Sequence, residues 1–448
     1  MFKYFQFNLK GISQFLLFLL PISLVTGPAI PDISITIIAL LFLINSFWIK
    51  DFEWLKEKWV LAGLCFWLSL IIISFFAINI KESLQNGFIF IRYIFFSIAV
   101  SYWLINEKKT LIIFLKILTL TLIFVIIDCI YQFVGYESLK GFGEDIFGFT
   151  STHYGRLSGP FNDDIPGSHI SRYLFFSIFL FVISKKTIYI NNFTLLLFTS
   201  LSIFIIWLSG ESMALGTTVM GILIYIFLIN QKKFIIIIAT FISILLIFFI
   251  GQFHKMNYDY KIISSTPYHH GLIINKFGEC EKYKNLSCSK LIKTNPEFYE
   301  VIKNFDKSVY YQIYKDALIM WKDHVLTGVG LGNYENACIE NEKYRSKKIN
   351  YGSCSSHPHN IYIQFLSESG LIGFTLFIIF VFLILIKIIG QFSVNNKFSL
   401  IHFFIIFWPI MSTGSLLKNW YGIEVFLVIA LLITLSNLNY LNSKFKFD

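Results

Sequence analysis

Long apolar runs separated by short polar breaks recur along the whole chain, as in QFLLFLLPISLV and FIIIIATFISILLIFFI. Runs able to cross about 30 Å of hydrocarbon as helices fall near 12–28, 32–49, 59–79, 88–105, 111–134 and 173–184. Further runs fall near 190–209, 214–230, 234–251, 361–388, 399–413 and 422–437. The pattern predicts about twelve spans, the sixth short and the seventh and eighth forming a tight hairpin. Two connections are long, 135–172 and 252–358, and the second holds most of the polar sequence. It contains a helix-like piece, SVYYQIYKDALIMWKDH, with Tyr310, Ile313, Leu318 and Trp321 near helical spacing. No fixed-period repeat or low-complexity linker divides the chain. Residues 1–448 therefore read as one all-α polytopic membrane domain, with 252–358 as a large loop within it.

Composition agrees: 56% of the 448 residues are hydrophobic and 14% are charged. A soluble domain of this length has no interior large enough for so much apolar surface. The net charge of +10 does not point to nucleic acid, because the lysines bracket apolar runs instead of forming a basic face. Lys50, Lys56, Lys58, Lys108, Lys109, Lys185, Lys186, Lys232 and Lys233 fall in alternate connections, together with the C-terminal Lys444 and Lys446. By the positive-inside tendency that side is cytoplasmic, both termini lie there, and both long loops lie outside. Lys3 and Lys10 before the first run resemble a signal peptide, but no small-x-small site follows, which reads as an uncleaved first helix.

Cys65 and Cys129 lie inside spans, whereas Cys280, Cys288, Cys338 and Cys354 lie in the large external loop. An oxidising exterior is compatible with two local disulfides there, 280–288 and 338–354, with other connectivities open.

Candidate chemistry gathers where the chain re-enters the bilayer, at CSSHPHNIYIQFLSESGLIGF, residues 354–374. Pro358 suits the first helical position, which puts His359 and Asn360 in the first turn of the tenth span, where unpaired N–H groups favour an anion. On a continuous helix Gly370 lies about 20° and Gly373 about 40° from His359. Leu366 shares that stripe, as a smooth groove for an acyl chain or a packing face for another helix. An interfacial histidine above packing glycines is the plainer alternative. His357 and His359 have metal-like spacing but no evident third ligand. Three of the four arginines, Arg92, Arg156 and Arg172, fall at or near the outer face, the first inside span four and the last opening span six. Guanidinium groups bind phosphate bidentately; pairing of Arg92 with Asp163, Asp164 or Glu82 is the structural alternative. TGVGLGNY, residues 327–334, lacks the preceding strand of a dinucleotide site and reads as a turn.

His359-Asn360, nine residues, Gly370, two residues and Gly373 resemble the signature of the O-antigen ligase and O-antigen polymerase superfamily of bacterial envelopes. WKDHVLTGVGLGNYENAC and RLSGPFNDDIPGSHIS resemble that family's flanking stretches. The resemblance implies an inverting, metal-independent glycosyltransferase of the inner membrane that works at the periplasmic face without a cofactor. Its donor would be a glycan on undecaprenyl diphosphate. Its acceptor would be lipid A-core in a ligase or a lipid-linked repeat unit in a polymerase. His359 would be the base that activates the acceptor hydroxyl, and arginines would hold the diphosphate. One position departs: where the family reads Ser-Gly-x-Arg, this chain has Ser212. A secondary transporter and a non-catalytic scaffold are the competing classes. The first would call for polar or broken helices at the midplane and repeated halves; Ser212 favours the second.

Overall fold

The computed structural model describes residues 2–137, 141–150, 156–161, 165–184, 188–254, 256, 260–262, 291–293, 305, 309–345, 354–390, 393–410 and 412–442. All twelve expected spans are helices: α1 (Phe2–Thr26), α2 (Ala29–Ile49), α3 (Lys58–Ser74), α4 (Ile80–Ile98), α5 (Lys108–Val134) and α6 (Pro166–Ile183). Then come α7 (Ile188–Leu208), α8 (Ser212–Leu228) and α9 (Lys233–Phe253). The large loop contributes α10 (Val309–Asp323) and α11 (Tyr334–Glu340), followed by α12 (Ile361–Ile389), α13 (Val394–Phe407) and α14 (Asn419–Asn442). A turn of π-helix, Ala99–Leu104, extends α4. Among the described residues, strands are confined to one antiparallel pair, β1 (Tyr260–Ile262) with β2 (Leu291–Lys293). The protein is an all-α polytopic membrane protein: nine helices among the described residues are long and apolar enough to span a bilayer, and α3, α8 and α13 are shorter apolar ones.

The chain forms two compact units, Met1–Leu118 with Ile313–Asp448, and Thr119–Gln312. In the first, α14 is the central helix, buried from Tyr421 to Leu435 and packed against α2, α4, α12 and α13. A helix apolar on every side has no face to give to water or lipid headgroups, so the interior is its stable place. Beside it, α3 packs on α12 through Phe66, which meets Phe90, Phe365 and Phe377 at centroid distances of 5.7, 5.2 and 5.6 Å. Such ring pairs each contribute about 0.5–1.5 kcal/mol beyond area burial. In the second unit α7 packs against α6, α8 and α9. Small residues let α7 and α9 approach: Ser243 Oγ donates to the Ser200 carbonyl at 3.0 Å, and Ser200 Oγ to the Ala239 carbonyl at 3.2 Å. Phe227, Phe234 and Phe253 are at least three-quarters exposed, as apolar side chains solvated by lipid tails would be.

Two helices begin earlier than the apolar pattern indicates. Asn79 caps α4 by accepting from the Glu82 N–H at 3.2 Å, so the polar stretch 81–86 is helical too. The sixth span starts at Pro166, so Arg172 lies inside α6 and does not open it; His169 and Arg172 interrupt the apolar run that marked the boundary. In α10 the buried apolar positions are Ile313, Ala317 and Met320, beside a buried Gln312, while Leu318 is exposed.

Cys338, at the buried side of α11, is bonded to Cys354 with a Cα–Cα distance of 5.8 Å and a sequence separation of 16. Cys65 and Cys129 are free thiols, and Cys280 and Cys288 lie outside the described residues. A loop of this length stabilises by about 3 kcal/mol in the chain-entropy picture, and it tethers the chain three residues before His357. Non-reducing peptide mapping should recover the Cys338 and Cys354 peptides as one species, with Cys65 and Cys129 alkylatable. Recovery of both of these thiols free from oxidised membranes would contradict the bridge.

Candidate functional site

The segment leading into α12 differs from the expectation of a histidine in the first helical turn. Asn360 is the N-cap, extended at φ −153° and ψ 123°, and its Oδ1 accepts from the N–H groups of Tyr362 and Ile363 at 3.0 and 3.1 Å. Its Nδ2 donates to the Pro409 carbonyl at 2.9 Å. An Asn cap of this kind contributes about 1 kcal/mol, and it displaces Pro358 from the helix. His359 precedes the cap with φ 54°, a left-handed conformation that costs a non-glycine residue about 1 kcal/mol or more. The conformation is held from outside: the Thr413 N–H donates to the His359 carbonyl at 2.8 Å.

The stripe predicted for a continuous helix is broken at Gly370, which sits at φ 61° and ψ −165° inside α12. In an unbroken helix the Leu371 and Ile372 N–H groups would reach the Ser367 and Glu368 carbonyls four residues back. Here they donate to the carbonyls of Val325 and Leu326 at 2.9 and 3.2 Å. The Ser367 and Glu368 carbonyls accept instead from Val329 and Gly330 at 2.9 and 3.0 Å. The glycine-rich stretch is thus a clamp inserted into the helix break. Glycine is obligatory on both sides: a Cβ on Gly370 would lie 2.3 Å from the Leu326 carbonyl, and one on Gly328 2.4 Å from the Glu368 backbone. Gly373 faces Ser369 and Ile73, so neither glycine opens a groove. The clamp's other edge is fastened to the α3–α4 turn, with Val329 accepting from Ile78 at 3.0 Å and Leu331 donating to Ser83 Oγ at 2.9 Å.

Below the cap, Gln364 ties α12 to the connection between α13 and α14. Its Nε2 donates to Ser415 Oγ at 2.6 Å and to Glu368 Oε2 at 3.1 Å, and its Oε1 accepts from the Leu416 N–H at 3.3 Å. Glu368 is 1% exposed, an ionisable group inside a span that the sequence reading passed over. The same connection carries Lys418, whose N–H closes a turn on the Ser415 carbonyl at 3.1 Å. The imidazoles of His357 and His359 lie with centroids 4.1 Å apart and planes tilted by 43°, and Ser356 Oγ lies 3.0 Å from His357 Nδ1. Burial first, then the positive Lys418, push His359 down to about 4; burial, its neighbour imidazole and Lys418 push His357 down to about 3.

Arg92 lies midway along Ile80–Leu104, inside its span as expected. Its partner is none of the three acids proposed from sequence. Nη2 and Nη1 meet the Asp32 carboxylate at 2.7 and 2.9 Å, Nη1 also donates to Thr36 Oγ1 at 3.2 Å, and Nη2 to Asn419 Oδ1 at 3.1 Å. Asp32 is in the first turn of α2 and Asn419 opens α14, so Arg92 is level with those helix starts and its charge is matched. Glu82 is engaged by Asn336 at 2.6 Å; Asp163 and Asp164 lie outside the described residues.

In the second unit, Arg156 Nη2 donates to the Gly210 carbonyl at 3.3 Å, two residues before Ser212, which opens α8. Burial lowers the Arg156 guanidinium from its ordinary value, with Glu211 acting in the opposite direction. The Glu211 carboxylate accepts from the Ser168 N–H in the first turn of α6 at 2.5 Å, where the helix dipole favours negative charge. Gly167 makes room for it, since a Cβ there would lie 2.6 Å from Glu211 Oε2. Arg172 follows within α6. The structure therefore gathers His359 and Asn360 with Lys418 in one unit, and Arg156 with the Ser209–Ser212 turn in the other.

The sequence reading missed Lys418 and Glu211. The signal for the first was the polar break STGSLLKN between two apolar runs; for the second, an acid beside the departing Ser212. Because both imidazoles are driven down, they should be neutral throughout pH 5–8. NMR titration of histidine-labelled protein, assigned by single substitutions, should place their midpoints near pH 4 or below. A midpoint for His359 near the unperturbed 6.5 would contradict the buried, cation-facing geometry.

Residues 195–378 match the O-antigen ligase family model. That stretch includes Ser212, the clamp, His359, Asn360, Gly370 and Gly373, and leaves out Arg92, Arg156, Arg172 and Lys418. Comparison with curated proteins gives no match. Over these 184 of 448 residues the chain is similar to the O-antigen ligase family, and that similarity supports a membrane glycosyltransferase of the ligase/polymerase type.

Proposed function

We propose that this protein is an O-antigen ligase of the bacterial inner membrane that transfers a glycan from undecaprenyl diphosphate to lipid A-core at the periplasmic face. The observation that carries the reading is His359: a neutral imidazole, in a strained backbone conformation, within the family-matched stretch. In the transfer, the acceptor hydroxyl oxygen attacks the anomeric carbon, and the bond from that carbon to the diphosphate oxygen breaks. The electron pair leaves on the diphosphate and the hydroxyl proton passes to His359. Attack opposite the leaving group inverts the anomeric centre, and an imidazole base needs no metal for the proton step. Asn360 contributes by fixing the chain on which His359 sits. Arg156 and Arg172 are the guanidinium candidates for phosphate recognition, whereas Arg92 is already paired with Asp32. The lysine asymmetry between loops supports the periplasmic orientation.

A polymerase that joins lipid-linked repeat units uses the same chemistry on a different acceptor. Deleting the gene and separating the lipopolysaccharide decides between them: loss of all capped forms is expected for a ligase, and survival of a single-repeat form would make the polymerase correct. General-base assistance contributes about 10²–10⁴-fold. His359→Ala should therefore lower in vitro transfer by that order in protein whose fold is verified separately. Wild-type rates in that variant would reduce His359 to part of the helix start and favour a scaffold.

A further inference from the structure

We propose that Lys418 is a phosphate ligand of this site, carried beside His359 by the connection between α13 and α14. The inference rests on the glycosyl-transfer reading for the identity of the phosphate, although not for its presence. The connection is hydrogen-bonded to the His359 segment at two levels. Thr413 donates to the His359 carbonyl at 2.8 Å, and Ser415 and Leu416 bind the Gln364 side chain at 2.6 and 3.3 Å. The turn that follows is closed on both sides of Lys418, whose N–H binds Ser415 at 3.1 Å and whose carbonyl accepts from Gly422 at 3.0 Å. Next to it, Asn419 Oδ1 accepts from Arg92 at 3.1 Å. The backbone of Lys418 is thus set relative to His359 before any substrate arrives.

Its side chain is exposed and, among the described residues, its ammonium has no acceptor. Three other cations of the same unit are paired with carboxylates. Arg92 is held by Asp32, Lys343 by Asp323 and Lys387 by Glu57, at 2.7, 2.6 and 2.9 Å. An exposed ammonium beside two imidazoles is hydrated in the free protein and is open to an anion. A phosphate, with two or more oxygens to accept from an ammonium, has the charge and size to do so. This cation does not require the guanidinium that Ser212 replaces.

The placement couples binding to base strength. Among the described residues Lys418 is the charged group that acts on His359, whose ring lies beside that of His357. In the free protein the positive charge of Lys418 disfavours imidazolium. A bound phosphate cancels that charge and adds a negative one, so the imidazole becomes a stronger base only when the phosphate is present. By linkage the effect is reciprocal.

The test uses full-length protein in detergent micelles and measures the affinity of two probes: undecaprenyl diphosphate without glycan, and phosphorylated lipid A. Lys418→Met should weaken one probe about tenfold, the loss of one charge-assisted contact, and Lys418→Arg should restore it. Loss confined to undecaprenyl diphosphate identifies the donor's leaving group. Loss confined to lipid A identifies an acceptor phosphate. Histidine NMR supplies a second readout, in which Lys418→Met should raise the His359 midpoint in the free protein. Unchanged affinity for both probes, or an unshifted His359 midpoint, would overturn the inference. Lys418-dependent binding in a wild-type protein that transfers no glycan would overturn the ligase reading and leave this one standing.

Discussion

Two backbone hydrogen bonds that α12 gives up at Gly370 organise the first unit. Instead of closing the helix, the Leu371 and Ile372 donors and the Ser367 and Glu368 acceptors are matched by the turn 325–330. Four bonds replace two, so these four backbone groups stay paired in an interior where an orphaned one costs several kcal/mol. The first nine residues of α12 become a short separate helix, fixed by the clamp at its inner end and by Asn360 at its outer end. The clamp is itself held on the α3–α4 turn.

On that short helix depends the position of His359. Its left-handed backbone is locally unfavourable and is imposed by its neighbours: the Asn360 cap, the Thr413 bond and the loop tethered through Cys354. Strain concentrated at one residue of a chemical constellation marks a position where orientation matters more than local stability. Burial and the adjacent cation add an electrostatic consequence, a neutral imidazole able to accept a proton at ordinary pH. Structure and charge therefore act together on a single ring.

The helices and the motif were legible in the sequence because both are local. Apolar runs report spans directly, and His359-Asn360 with Gly370 and Gly373 is a fixed spacing along one segment. The glycines resemble a packing stripe only if the helix is assumed continuous; nothing between 361 and 373 announces that the partner is 325–330. Arg92 was legible as a charge needing a partner, but Asp32, sixty residues away, belongs to another helix. His169 and Arg172 concealed the start of α6 because helices that carry polar groups lose the apolar signal used to find them. Lys418 was hidden for the opposite reason, since a lone lysine between spans is the usual mark of topology.

A clamped helix break positions the imidazole proposed as the base. Gly370→Ala tests it most directly, because a Cβ would meet the Leu326 carbonyl at 2.3 Å and alanine disfavours that backbone by about 1–3 kcal/mol. Transfer should be measured on the membrane-inserted, disulfide-bonded variant beside wild type. The account predicts a loss of about tenfold or more, as expected when a catalytic group is misplaced by about 1 Å. Transfer at the wild-type rate, with α12 intact, would contradict it.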